Sequence, residues 1–95
     1  MKFAAIIEYI PDASRVSEVR PAHRDYLGGL LETGNFVLGG PFIDDSGALI
    51  VYEAESADEV ERFIENDPFA KRGVFASWKI RPWKLITANA KLLPI

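Results

Sequence analysis

Residues 3–9 are apolar on both alternating faces, Phe3/Ala5/Ile7/Tyr9 on one and Ala4/Ile6 on the other, which predicts a strand covered from two sides. Residues 12–19 are polar and read as a loop or irregular turn. Pro21 fits a first helical position, so the pattern predicts a helix from there to about Thr33, ended by Gly34. Within it His23, Leu27, Leu30 and Leu31 recur at helical spacing, on a stripe that faces the interior. Residues 36–40 and 48–54 have β character, and the intervening Phe42-Ile43-Asp44-Asp45-Ser46-Gly47 carries turn chemistry, so the two form a hairpin.

Ser56 and Glu59 make a capping box before a second helix, whose buried stripe is Val60, Phe63 and Ile64 and which stops near Asn66. Asp67-Pro68-Phe69 is another start signal, a favoured N-cap followed by a favoured first residue, for a short helical turn ending at Arg72 and Gly73. Residues 74–86 return to β character. Pro82 interrupts them and belongs at a sheet edge or bulge, because it cannot donate to a ladder. The order is β-α-β-β-α-β, which predicts an α+β, ferredoxin-like domain: an antiparallel sheet with two helices on one face. Residues 1–95 read as a single domain, with a core over 1–86 and a C-terminal extension over 87–95.

Two helices leave the second sheet face uncovered, yet the first strand is apolar on both sides. So are Leu49/Val51 against Ile50/Tyr52, and Phe75 with Trp83 against Trp78 with Ile80. A large apolar patch is rare on a monomer, so the pattern predicts a homodimer packed sheet to sheet.

Composition narrows the classes. At 95 residues, 48% hydrophobic and 26% charged, the chain reads as one soluble globular domain, with no run near the ~20 apolar residues of a membrane span. A net charge of −3 argues against nucleic acid as partner. The N-terminal run lacks the apolar core and cleavage site of a signal peptide, and the chain has no cysteine, so a cytoplasmic protein without disulfides or thiolate chemistry is expected.

His23, the single histidine, carries the one side chain that ordinarily titrates near neutrality. As a general acid or base it needs a carboxylate to fix its tautomer, and Asp44, Asp45 and Asp67 are the candidates. Each also has a structural explanation: Asp67 as an N-cap, Asp44 and Asp45 as hairpin-loop residues. One histidine without cysteine predicts no transition metal, and Ser14, Ser17, Ser46, Ser56 and Ser77 show no nucleophile pattern. Gly39-Gly40-Pro41 is no phosphate loop; its glycines fit close backbone approach or a bulge. Phe42, Trp83, Trp78, Phe69 and Tyr26 are candidates for an aromatic pocket or for core. Arg20 either orients an anionic ligand through a bidentate contact or is a solvated residue before Pro21.

Taken together, Arg20-Pro21-Ala22-His23 with Tyr26-Leu27, Gly34, Gly40-Pro41-Phe42 with Asp44, Asp67-Pro68-Phe69 with Gly73-Val74, and Ile80-Arg81-Pro82-Trp83 resemble the YciI-like (YCII-related) family, in order across residues 1–86. The resemblance implies a ferredoxin-like domain that dimerises into an α+β barrel, with an active site around a His and an Asp. The histidine carries over to His23; the aspartate best matches Asp67, with Asp44 as second choice. A characterised member of the family resembles a dehydrochlorinase acting on a chlorinated hydroxyhydroquinone, while other dimeric α+β barrels include monooxygenases and lactone isomerases. The expectation is therefore a small cofactor-independent enzyme in which His23, oriented by Asp67, moves a proton on a small cyclic or phenolic substrate, with Arg20, Asp44, Phe42 and Trp83 as substrate-binding candidates. The alternative is a non-catalytic dimer that binds a small ligand or a partner protein, with His23 as a core residue that has no buried partner.

Overall fold

A computed structural model describes residues 1–94. The elements run β1 (Lys2–Tyr9), α1 (Ala13–Thr33), β2 (Phe36–Pro41), β3 (Gly47–Glu53), α2 (Ala57–Glu65), α3 (Pro68–Lys71), β4 (Phe75–Trp83) and a 3-10 turn at Ala90–Leu92. The strands form one sheet in the order β2-β3-β1-β4, and every neighbouring pair is antiparallel. This is the α+β, ferredoxin-like arrangement expected from the element order.

Alternation along the strands sends one set of side chains under the helices. Phe3, Ala5, Ile7 and Tyr9 of β1 and Ala48, Ile50 and Tyr52 of β3 are buried together with Val16 and Val19 of α1, Val60 and Ile64 of α2, and Phe69 of α3. Each large apolar side chain so buried contributes about 1.5–3 kcal/mol before chain entropy is counted. Gly47 is required by close approach, since a Cβ there would fall on the Ile7 carbonyl oxygen. Gly34 ends α1 at φ 82, a left-handed conformation that glycine adopts without strain, and its N–H donates to the Leu30 and Leu31 carbonyls.

Three expectations are corrected. The first concerns residues 12–19, which are helical rather than loop: Asp12 is the N-cap of α1, accepting from the Arg15 N–H at 3.1 Å, and Pro21 lies inside the helix. An interior proline removes one backbone hydrogen bond and costs about 3 kcal/mol. Val16 and Val19, both buried on the same stripe as His23, offset that cost. The second concerns Leu31, which is 59% exposed instead of facing the core.

The third correction concerns β4. A register shift opposite Glu8/Tyr9 breaks the strict alternation, so Phe75 packs on the helix side together with Trp78, their rings 6.1 Å apart. Ser77, Lys79 and Arg81, opposite Glu8, Ile6 and Ala4, consequently share the other face with Trp83. On that face Ile6 and Leu49 are register neighbours, 45% and 38% exposed, so β1 is not covered from both sides within one chain. Strand β4 ends at Trp83 rather than at residue 86, and it is an edge strand, where Pro82 is tolerated. In the extension Leu92 is exposed and Leu93 partly so, while Ile95 lies outside the described residues.

Tyr52 is 0% exposed, and its hydroxyl is the single buried side-chain polar atom without a hydrogen-bond partner among the described residues. Burial, then the charge of Asp67, pushes its phenol pKa upward. Tyr52→Phe should therefore leave stability unchanged or raise it by up to about 1 kcal/mol, since an unpaired buried hydroxyl contributes only a desolvation cost. Urea unfolding midpoints would check this, and a loss above about 1 kcal/mol would reveal a partner for the hydroxyl.

Candidate active site

The site is assembled from a helix face and a helix cap. Asp67 caps α3 because Pro68 takes the first helical position without an N–H, leaving the Phe69 N–H to donate to Asp67 Oδ1 at 2.9 Å. The side chain is 0% exposed. Its two oxygens also face His23 of α1, whose Nδ1 lies 2.8 Å from Oδ1 and 2.9 Å from Oδ2. A carboxylate accepts only, so the Nδ1 position carries the proton and donates it.

Aromatic rings fix the rest of the imidazole. Phe69 stacks on it with centroids 3.9 Å apart and planes at 12°, and Phe75 meets it edge-on at 6.1 Å. The imidazole is thus held by one ion-type contact and two aromatic walls, all from the segment just before and within β4. Nε2 has no hydrogen bond among the described residues, nor is it sealed in as a buried unpaired atom. His23 lines a cavity of about 300 Å³ between α1 and the β2–β3 side of the sheet. With Nδ1 protonated, the Nε2 lone pair is the group available to a molecule entering that space.

The cavity wall is mostly apolar, from Leu27, Leu31, Phe36, Ala48 and Ile50, and it is opened by Gly28, Gly39 and Gly40. Apart from its chain neighbours and the surrounding helix backbone, no atom lies within 4 Å of where a Gly28 Cβ would be, so a larger residue there would project into open space. Polar groups are few. Tyr9 lines the cavity, and burial pushes its phenol pKa upward against the pull of Arg20, so it stays a protonated donor at neutral pH. Arg20 also lines it and pairs with Asp45 of the β2–β3 hairpin at 2.6 Å, a residue held at φ 59. Arg24 lines the same wall. Beneath the pair, Tyr26 donates to the Phe63 carbonyl at 2.6 Å, tying α1 to α2; burial and the Asp67 charge push its pKa up to about 12.

The structure brings together His23, Asp67 and Arg20 of the expected set. It places the others elsewhere. Asp44 is a turn residue whose Oδ1 accepts from the Ser46 hydroxyl at 2.6 Å and from its N–H at 3.1 Å, contacts that hold its carboxyl below the ordinary range. Phe42, 42% exposed, lines a separate shallow depression with Asp44, and Trp83, 41% exposed, lies by Met1 and Lys2 at the far end of β1. Sequence reasoning missed Arg24, Tyr9 and Gly28. Residues 23, 24, 27, 28 and 31 share one face of the helix already expected from Pro21 to Thr33, so that signal was legible in the sequence, and residue 20 joins the face because α1 begins at Ala13. Among the described residues no cluster of three or more His, Asp or Glu side chains could hold a metal ion. No helix among them is long and apolar enough to cross a membrane.

Comparison with known proteins gives three findings. The 5-chloro-2-hydroxyhydroquinone dehydrochlorinase from Burkholderia phenoliruptrix AC1100, solved in complex with 2,5-dihydroxybenzoquinone, is 35% identical. It superposes with a TM-score of 0.78, covering 88% of this chain and 94% of that one. The derivative of benzaldehyde biosynthesis cluster protein C from Emericella nidulans is 37% identical over 71 residues, 63% of this chain and 71% of that protein. Residues 1–84 match the YCII-related domain, and with that span covering all four strands and the His23–Asp67 pair, the chain belongs to the YCII-related family.

Proposed function

We propose that this protein is a cofactor-independent enzyme that moves a proton on a small cyclic or phenolic compound, with His23 as general base and acid and Asp67 as its positioning residue. The observation that carries this reading is the commitment of Nδ1 to a fully buried carboxylate, on a histidine that lines the cavity and whose Nε2 has no hydrogen bond among the described residues. That arrangement fixes the tautomer and aims one basic nitrogen at a bound ring. A dehydrochlorinase among the similar structures makes loss of HCl from a chlorinated hydroquinone the first reaction to test. In such a step one ring hydroxyl proton is moved to the chlorine-bearing carbon, Nε2 then takes a second hydroxyl proton as the C–Cl electron pair of that carbon leaves with chloride, and this proton passes later to solvent, leaving a hydroxyquinone. No outside oxidant is required.

The test is chloride release from 5-chloro-2-hydroxyhydroquinone, followed by ion-selective electrode against a buffer blank, with wild type and His23→Asn side by side. Catalysed release lost in the variant supports the reading. A wild-type rate equal to the blank, followed by the same result across other chlorinated phenols and hydroquinones, would sink it.

The same proposal includes a homodimer packed through the open sheet face, where Ile6, Leu49 and Trp83 are exposed. The neighbouring Lys79 and Arg81 make that face partly basic, so charge replacement at its apolar centre should separate the copies. Ile6→Lys is expected to shift a sedimenting dimer to monomer at micromolar concentration; a wild-type monomer under those conditions would remove the dimer.

A further inference from the structure

The polar groups at the mouth of the His23 cavity are unbalanced in charge. Arg20 is neutralised by Asp45 at 2.6 Å, whereas Arg24, on the next turn of the same helix face, makes no ion pair among the described residues. No Asp or Glu lines the cavity. The carboxylate nearest the chemistry, Asp67, lies behind the imidazole and is 0% exposed. A mostly apolar pocket with one uncompensated guanidinium and no acidic wall fits a flat organic anion better than a neutral ring.

We propose that Arg24 is a specificity-determining residue that selects an ionised ring substrate, holding its anionic oxygen at the rim while the reacting end of the ring faces His23 Nε2. This rests on the proton-transfer reading of the cavity and adds the charge state and the orientation of its ligand. The orientation follows from electrostatics. A negative oxygen beside His23 would approach the buried Asp67 charge, whereas at the rim it meets Arg24 in a planar, two-donor geometry. Arg20, already held by Asp45, supplies a fixed second wall rather than a free charge. The spacing of Arg20 and Arg24, one turn apart on α1, places both guanidinium stems on the cavity side of the helix.

The test compares two probes by isothermal titration calorimetry. They are 2-hydroxy-1,4-benzoquinone, a vinylogous acid that carries a single negative charge at neutral pH, and the uncharged 2-methoxy-1,4-benzoquinone. Wild type should prefer the ionised probe by about tenfold or more, the effect of one charge-assisted contact. Arg24→Gln should abolish that preference by weakening the ionised probe alone, Arg24→Lys should keep part of it, and raised salt should shrink it. His23→Asn should retain the preference, because the proton-transfer group and the anion group are different residues.

A preference that survives Arg24→Gln, or equal weakening of both probes, overturns the proposal and leaves the proton-transfer reading intact. Equal affinity of wild type for the two probes does the same. Binding of neither probe to wild type removes the cavity as a ring site, and both readings fall together. Arg24 is an exposed helix residue with no side-chain hydrogen bond or ion pair among the described residues, so the variants are expected to fold, and their far-ultraviolet circular dichroism verifies it.

Discussion

His23→Asn is expected to lower turnover by about 100- to 10,000-fold, the usual contribution of a positioned general base, while the protein remains folded. The choice of asparagine matters. Its amide nitrogen reaches the position of His23 Nδ1 and can still donate to Asp67, so the buried carboxylate keeps a partner while the Nε2 lone pair is gone. His23→Leu is a different experiment. It leaves Asp67 0% exposed with only the Phe69 N–H, and removing one partner of a buried pair costs about 3–5 kcal/mol. The reading in which His23 packs without a buried partner predicts the opposite, a neutral or stabilising change, and the observed contact with Asp67 already removes its premise. Turnover and urea midpoints measured on both variants separate the roles: full activity in His23→Asn would end the catalytic assignment whatever the stability data say.

The legibility of this chain in its sequence divides along physical lines. Strand and helix order was readable because alternation, the Ser56/Glu59 box and the Asp67-Pro68 cap are local signals, each written within a few residues. The start of α1 was not. Pro21 mimics a first helical residue, and only tertiary burial of Val16 and Val19 shows that the helix had begun about two turns earlier, at Ala13. The bulge in β4 was equally invisible, because one irregular pair moves Phe75 to the helix side without any change in composition.

The site shows the same division. His23 stood out as the single histidine on an inward stripe, and Asp67 as a cap, yet their contact joins residues 44 positions apart. Nothing local distinguishes Asp67 from Asp44, whose role turned out to be a hairpin turn closed on Ser46. Here the cap and the partner are one carboxylate: the geometry that satisfies the start of α3 also presents Oδ1 and Oδ2 to the imidazole. A residue with a complete structural explanation can therefore hold a functional one as well.

That double duty yields the second large effect, because two substitutions at Asp67 take it apart. Asp67→Ala removes the cap and the acceptor of His23 Nδ1 together, and a loss of about 3–5 kcal/mol is expected, of which about 1 kcal/mol belongs to the cap. Asp67→Asn keeps a good cap, since asparagine and aspartate are near-equal at that position, so its cost should be about 1–2 kcal/mol. Its amide, however, turns an acceptor at Oδ2 into a donor facing Nδ1 at 2.9 Å. The imidazole relieves that conflict by moving its proton to Nε2, with Nδ1 now accepting. Nε2 then points a proton, not a lone pair, into the cavity, and activity should fall as far as in His23→Asn although the fold is nearly intact. Nitrogen-15 shifts of the His23 ring report the tautomer directly, with wild type protonated at Nδ1 and Asp67→Asn at Nε2. An Asp67→Asn protein that keeps both the wild-type tautomer and the wild-type rate would show that Asp67 serves α3 alone, leaving the orientation of His23 to the stacked Phe69.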